Sequence, residues 1–521
     1  MARCRTTPGL PSDVRLTFKS LLQVFEGLDI LPQENDGQNL FDALVNGRDI
    51  KEILAGIEGP YAFVFYERSS GKLYFARDPL GRRSLLIHHP NGDEPYLILV
   101  SANSNSAPKL AFEEVATDGI YCLDTTHTTI SDDGLLYTPI TLIPRDLNVA
   151  HLRSEWLSVT TLNPKLPPTN LEISDWESPS VQLQSSIDVF IAALDESVRL
   201  RVQHIPLMNV SAAGQPRVGI LFSGGIDCSV LAYLTHRHLP ITEPIDLLNV
   251  AFENPRVLNA STSSSTSKAS KKSRRAKAGA LNNEEDTFSN TKGMYDVPDR
   301  LTGLEQLQEL RRVCQNRTWN FVEVNVPYEQ CQMERTRVEG LMYPSRTVMD
   351  LSLALALYFA SRGIGMIRPS PTSQPTPYAS PARVLLSGLG SDELLGGYAR
   401  HRHAYTRDGW HGLVSELQLD LTRLPTRNLG RDDRVISENG KETRYPYLSL
   451  TLVDLVAKLP VHVKADPRLP EGTGDKILLR MAAAKLGLVT ASRRRKRAMQ
   501  FGSRSARMEI GEKDGKKDLV E

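Results

Sequence analysis

The chain has 521 residues, with 62 Lys and Arg against 61 Asp and Glu, a formal net charge of +1, and 40% apolar residues. That length accommodates two to four domains with sizeable cores, and the apolar share excludes a largely disordered chain. Near-neutral charge argues against a surface built throughout for nucleic acid, and no apolar run approaches the roughly 18 residues of a membrane helix, so neither is expected as a partner.

In chain order, the opening stretch MARCRTTPGLPSDVRLTF carries arginines but no apolar segment of a secretory signal, and the cytoplasm is the default compartment. Five scattered cysteines (Cys4, Cys122, Cys228, Cys314, Cys331) form no CxxC pair and offer neither a zinc site nor a disulfide framework. From Tyr61 to Val100 the pattern is strand-like. Ala62–Tyr66 and Leu73–Ala76 flank a Ser69-Ser70-Gly71 turn, and Leu85–His88 and Tyr96–Val100 flank Asn91-Gly92, which predicts antiparallel hairpins. From Ile187 the period changes. Ile187, Phe190, Ile191, Leu194 and Val198 recur at helical spacing, Val348–Phe359 is a second helix, and Val218–Phe222, Leu247–Phe252 and Val384–Leu386 read as short buried strands. Helices alternating with such strands predict an α/β fold with a parallel sheet covered on both faces. The expected organisation is a β-rich domain over 1–165 and a larger α/β domain over 180–508. A Ser/Lys-rich insert at 260–280, a proline-rich surface loop at 369–381 and a charged tail at 509–521 interrupt or follow it.

The sharpest chemical signal is Val218-Gly219-Ile220-Leu221-Phe222-Ser223-Gly224-Gly225-Ile226-Asp227-Cys228-Ser229. A buried strand enters Ser-Gly-Gly and a helix follows. The glycines let backbone N–H groups turn toward a ligand, the helix N-terminus adds partial positive charge, and Ser223 and Ser229 can add hydroxyl donors. The lysine of a Walker A loop is missing. Asp227 would repel a bare phosphate, so the loop implies Mg2+ carried on a di- or triphosphate. A second strand, Val384–Leu386, enters Ser387-Gly388-Leu389-Gly390-Ser391-Asp392-Glu393-Leu394-Leu395-Gly396-Gly397-Tyr398. Two such loops at the carboxyl ends of neighbouring parallel strands face one crevice, where Asp227 and Asp392 could share a Mg2+.

The first loop resembles that of the ATP pyrophosphatases, with Cys228 where that family usually has Ser. The second resembles the asparagine synthetase family. Arg431-Asp432-Asp433-Arg434, Gly440-Lys441-Glu442-Thr443-Arg444-Tyr445-Pro446-Tyr447-Leu448 and Asp475-Lys476-Ile477-Leu478-Leu479-Arg480 are similar to further blocks of that family. Lys496–Arg504 (KRAMQFGSR) is similar to the tail of its asparagine synthetase domain-containing branch. The resemblance implies an adenine-nucleotide alpha-hydrolase-like synthetase domain that uses ATP and Mg2+ to adenylate aspartate and amidate it with ammonia, with a second copy of the chain admitted as partner. It implies Lys476, Asp392 and Glu442 as catalytic and Asp227 and Asp392 as metal-holding. Leu221, Ser223, Gly224, Gly225, Asp227, Ser229, Val250, Ser387 and Gly388 are implied at the nucleotide. Glu393 and Arg444 are implied at the substrate. For Lys476 an exposed helix lysine is the alternative reading, and the run Arg493–Arg497 is equally a phosphate ligand, a solvated basic face or a nuclear-localisation-like patch. One departure stands out: Leu389 occupies a slot where many asparagine synthetases carry Glu.

Gly59-Pro60-Tyr61-Ala62-Phe63-Val64-Phe65-Tyr66 and Phe75-Ala76-Arg77-Asp78-Pro79-Leu80-Gly81-Arg82-Arg83 resemble class II glutamine amidotransferase domains, which implies an N-terminal-nucleophile αββα sandwich. Glu34-Asn35-Asp36-Gly37 is similar to the segment whose Asp holds glutamine, with a turn or helix cap as the alternative for Asp36. That family's chemistry starts at a Cys after the initiator Met, where this chain has Ala2. The expected domain is therefore N-terminally truncated and inactive on glutamine as written: either the sequence as written starts late, with glutamine the donor of the whole protein, or free ammonia is the nitrogen donor. An ATP-binding scaffold without turnover, and a β-lactam synthetase-like ligase acting on another carboxylate, remain the alternatives.

Overall fold

A computed structural model describes residues 17–28, 30, 34–46, 49–91, 93–103, 110–127, 129–130, 136–145, 161–170, 179–203, 205, 214–253, 293–368 and 373–508. The Ser/Lys-rich insert and the charged tail lie outside the described residues.

Among the described residues of the N-terminal part the strands are β1 (Thr17–Leu22), β2 (Tyr61–Glu67), β3 (Lys72–Arg77), β4 (Leu86–His88), β5 (Ile98–Val100), β6 (Glu113–Glu114), β7 (Gly119–Asp124), β8 (Thr129–Ile130), β9 (Leu136–Tyr137) and β10 (Ile140–Pro144). The main sheet has the order β1-β2-β3-β7-β10 with every neighbour antiparallel. Alternation along β2 assigns its two faces. Tyr61, Phe63 and Phe65 pack with Leu40, Ile53 and Leu54 of the helices Asp36–Val45 and Ile50–Gly56. Ala62 packs with Phe75, Leu85, Ile87 and Val115, beneath the small sheet β5-β4-β6. The described residues of this half thus build three layers, helices on sheet on sheet.

The C-terminal part carries β11 (Val218–Leu221), β12 (Ile245–Phe252), β13 (Trp319–Val326), β14 (Ile364–Ile367), β15 (Thr376–Ala379), β16 (Val384–Leu386) and β17 (Glu442–Arg444), ordered β15-β14-β13-β12-β11-β16-β17. The five strands from β13 to β17 in that order are mutually parallel, and β14 and β15 pair antiparallel at one edge. Every residue of β11 and β12 is buried, because helices cover both faces. Val218, Ile220 and Leu247 face Phe190, Leu194 and Val198 of the helix Val181–Val202, while Leu221, Leu248 and Val250 face Leu351, Leu355 and Phe359 of the helix Val348–Arg362. The described part of the proline-rich stretch, expected as a surface loop or insert, is an exposed edge strand. Thr376–Ala379 pairs with β14, and Pro377 is tolerated because an edge strand need not donate its N–H.

The chain runs from β11 outward to β12 and β13, then returns to place β16 on the other side of β11. At such a reversal the loops leaving neighbouring strands diverge and open a crevice outside their carboxyl ends. The two halves meet through buried ions. Arg83 Nη1 lies 2.7 Å from Asp433 Oδ1, Ser84 N donates to Asp433 Oδ2 at 3.0 Å, and Arg434 Nη1 reaches Ser84 Oγ at 2.7 Å and Glu114 Oε1 at 2.5 Å. Segments 77–84 and 431–434, which resemble motifs of two different domains, therefore interlock across one interface.

Candidate active site

The loop after β11 is shaped by two glycines. Gly224 adopts φ +78°, where a side chain is strained, and a Cβ there would sit 2.5 Å from Gly303 N in the helix Pro298–Val313. Thr302 Oγ1 donates to Ser223 O at 2.9 Å and pins the loop to that helix. Gly225 opens the helix Ile226–His238 with no side-chain cap, so the helix N-terminus keeps its backbone donors. Ser223 Oγ accepts from Gly225 N at 3.3 Å. Ser229 is fully buried and donates to Gly225 O at 2.7 Å, bracing the loop from inside the fold. Burial pushes the Cys228 thiol up to about 11, and its Sγ donates to the same carbonyl.

The loop after β16 comes alongside. Ser387 N donates to Arg444 O at 3.0 Å, Leu389 N donates to Ser387 Oγ at 3.3 Å, and a Cβ on Gly388 would lie 2.9 Å from Asp227 Cβ, so the two loops are in contact. Gly390, at φ +99°, starts the helix Ser391–Leu395. Glu393 closes that turn by accepting from Gly390 N at 3.2 Å and from the Tyr398 hydroxyl at 2.5 Å. Burial and the neighbouring Asp392 charge push the Glu393 carboxyl up. Leu389 packs against the large core cluster.

Lys476 joins the loops. Its ammonium lies 2.7 Å from Asp227 Oδ1 and 2.6 Å from Asp392 Oδ1, and donates to Ser391 Oγ at 3.0 Å. It is 1% exposed, so it is a buried ion and not a solvated helix lysine. Its backbone is left-handed (φ +53°), costing about 1–2 kcal/mol, and Lys476 N donates to Leu395 O, which ties that turn to the second loop. Burial drives the ammonium pKa down, but the two carboxylates outweigh burial and hold it above the ordinary lysine range. Burial likewise pushes the Asp392 carboxyl up, and Lys476 and Lys496 outweigh it and hold it well below the usual carboxylate range. Asp227 keeps 24% of its side chain exposed toward the crevice.

Among the described residues no three His, Cys, Asp or Glu side chains cluster as a self-sufficient metal site. Two carboxylates converging on one point match Mg2+, which takes one or two protein carboxylates and fills its other positions with water and phosphate oxygens. The donor set fits such an ion when it arrives with a polyphosphate. Gly397 makes room for the arrangement, since a Cβ there would lie 1.9 Å from Asp392 Oδ1 and 2.2 Å from Lys476 Cε. Gly397→Ala is expected to leave the fold intact while pushing this ion pair apart. A thermal melt measures the first effect, and titration with Mn2+ as a divalent-cation probe measures the second.

The remaining sequence-assigned residues divide. Leu221 and Val250 are buried in one cluster on the sheet face beside the first loop. Glu442, Arg444 and Asp36 gather elsewhere, at the junction of the two halves. Arg444 Nε donates to Glu442 Oε1 at 2.5 Å and Nη1 to Arg201 O at 2.6 Å. Burial pushes Glu442 up, but Arg444 and Arg83 outweigh it and hold its carboxyl low. Asp36 accepts from Val24 N at 2.8 Å, is pushed up by burial, and feels the charges of Glu442 and Arg444. Glu442 thus pairs within this junction and not with Lys476. Lys496, which the sequence places only in a basic run of open role, pairs through its ammonium with Asp392 Oδ2. The basic run was the visible signal, but nothing in the run itself tells which of its cations turns inward. Beyond Lys496 a cavity of about 250 Å³ opens, lined by Gly397, Tyr398, Arg402, Asp475, Arg495 and Lys496 among others.

Comparison with known proteins follows the same lines. Residues 405–514 match the asparagine synthase family model. The chain is 37% identical over 552 residues to human asparagine synthetase domain-containing protein 1, covering 94% of this chain and 84% of that protein. It is 32% identical over 503 residues to an asparagine synthetase domain-containing protein of Saccharomyces cerevisiae, covering 94% and 78%. Among solved structures it is similar to a glutamine phosphoribosylpyrophosphate amidotransferase from B. subtilis, 14% identical over 46% of this chain and 47% of that one, with a TM-score of 0.19, an overlap too slight to bear on the fold. Identity of this extent along nearly the whole chain places it: the protein belongs to the family of asparagine synthetase domain-containing proteins.

Proposed function

We propose that the protein is an ATP-dependent ligase that adenylates the β-carboxylate of aspartate and amidates it with ammonia. The observation that carries this reading is Lys476 held between Asp227 and Asp392 at the carboxyl ends of two adjacent parallel strands. The donors of the first loop and the N-terminus of its helix suit the nucleotide's phosphates. Mg2+ arriving with the nucleotide would be held by Asp227 and Asp392 and would supply charge neutralisation on the leaving phosphates. A carboxylate oxygen forms a bond to the α-phosphorus and the bond to the β-phosphate oxygen breaks, so that pyrophosphate leaves with the electron pair. Ammonia nitrogen then bonds to the acyl carbon, AMP leaves, and one proton is released. Neither step needs a strong base from the protein; both need fixed positive charge at the phosphates, which Lys476 provides.

Leu389 favours a second reading of the acceptor. Packed against the core, it offers no acidic group near the second loop, so the same adenylation could serve another carboxylic acid. Pyrophosphate exchange with a panel of carboxylic acids separates the two. Exchange dependent on aspartate, with amide formed from ammonia or from glutamine, is the expected result. Exchange that ignores aspartate but follows another acid transfers the assignment, and nucleotide binding without any exchange replaces the ligase by a scaffold.

A further inference from the structure

One short turn touches both loops of the site and both halves of the chain. Pro446–Leu448 is a buried 3-10 turn between β17 and the helix Leu450–Lys458. The N-terminal half grips its far end. Arg82 Nη1 donates to Leu448 O at 2.8 Å, and Glu58 Oε2 accepts from Leu450 N at 3.3 Å, capping a helix whose own first residues supply no side-chain cap. The near end is held from the helix Val181–Val202, where Ser197 Oγ donates to Pro446 O at 2.6 Å. Between these anchors two side chains reach the loops. Leu448 fills the space at Gly390, where a Cβ would lie 2.4 Å from Leu448 Cδ2. Tyr447 is fully buried, and its hydroxyl donates to Asp227 O at 3.1 Å. Among the described residues that carbonyl is the hydroxyl's one hydrogen-bond partner. Packing alone needs only the ring, and a buried hydroxyl costs free energy unless it is bonded. Here it is bonded to the main chain of the residue whose carboxylate stands 2.7 Å from Lys476.

We propose that Tyr447 is a positioning residue: its hydroxyl fixes the first turn of the helix Ile226–His238, and with it the Asp227 carboxylate, while Glu58 and Arg82 of the N-terminal half clamp the turn that carries it. The proposal rests on the ligase reading given above. It gives the N-terminal half a task in adenylation that is separate from supplying nitrogen, as a brace for the loop that takes the nucleotide. The tolerance is small, because a misplacement of about 1 Å costs on the order of 100-fold in rate.

The test is ATP–pyrophosphate exchange on the full chain, with the carboxylic acid that supports exchange in the wild type, beside a thermal melt. Tyr447→Phe keeps the ring and its packing and removes one oxygen. It is expected to lower the maximal exchange rate about tenfold, the scale of one hydrogen bond, with the KM for ATP within about twofold of wild type and the protein folded at the assay temperature. Tyr358→Phe removes a hydroxyl bonded to Glu334 of the helix Tyr328–Met342 and should leave the rate unchanged. Glu58→Gln tests the clamp, and Arg82→Lys takes its place if that variant does not fold. The clamp variant is expected to lower the rate about fivefold in the wild type but less than about twofold in Tyr447→Phe, because both changes act through one hydrogen bond and their effects do not add. An unchanged rate in Tyr447→Phe overturns the positioning role, and additive losses overturn the route through the N-terminal half; both outcomes leave the ligase reading in place. A wild type that catalyses no exchange removes the ligase reading and this proposal with it.

Discussion

Lys476→Met is expected to lower ATP–pyrophosphate exchange by about a thousandfold while the protein remains folded. The magnitude follows from what the ammonium does. It is the only cation in contact with both Asp227 and Asp392 among the described residues, and removal of one preorganised charge donor from a water-poor site costs roughly 100- to 1,000-fold. The fold survives because each carboxylate has a second resort. Asp392 keeps Lys496, and Asp227 is open enough to rehydrate. Lys476→Arg should not restore the rate. The guanidinium is larger and planar, and the site already excludes even a methyl group at Gly397. Measuring exchange together with Mn2+–ATP affinity separates binding from chemistry. An exchange rate within tenfold of wild type would remove Lys476 from the phosphate-neutralising role.

Much of this centre was legible before any coordinates, because its signals are local. A strand, two glycines, an acid and a helix in that order specify a turn whose geometry hardly depends on the rest of the chain, and the pattern occurs after both Leu221 and Leu386. The strands that hold these turns were legible for a related reason, since burial on both faces leaves an uninterrupted apolar run. Where burial is only partly apolar the signal fades. β13 carries Asn320, Glu323 and Asn325, each with a polar partner inside the fold, so its alternation does not announce a central strand. Apart from the meeting of the two loops, long-range pairing of side chains was illegible. Glu442 and Arg444 lie two residues apart in a motif that also resembles the synthetase family, yet their side chains are held at the junction of the halves by Arg83, Arg201 and Phe25, residues far away in sequence. Lys496 is the converse case, a member of an unremarkable basic run that tertiary packing sets on Asp392.

The junction between the halves carries the largest expected effect on stability, and it centres on Glu58. This carboxylate is 1% exposed and takes Arg201 Nη2 at 2.9 Å, Arg82 Nη1 at 3.3 Å and Leu450 N at 3.3 Å, so groups from three distant parts of the chain converge on it. Arg82 retains Asp78 at 2.9 Å if Glu58 is lost, but among the described residues the Arg201 guanidinium is left with Ser197 as its one polar partner and the face of Phe25, 4.6 Å away. Burial already pushes Arg201 down to about 10 against the pull of Glu58. Stripping the charge from a buried pair costs about 3–5 kcal/mol, because the remaining ion stays desolvated. Glu58→Ala is expected to fall in that range and Glu58→Gln toward its lower end, both measured as a shift in the urea unfolding midpoint. The pH dependence has a definite sign. Burial raises the Glu58 carboxyl, but Arg82 and Arg201 outweigh it and hold the folded value below the ordinary one. Its contribution is therefore complete above the ordinary glutamate range near ~4.3 and is lost as pH falls through that range toward the lower folded value. The gap between wild type and Glu58→Gln should be widest around neutral pH and close progressively in acid, whereas a purely steric role for Glu58 predicts a gap that does not change with pH.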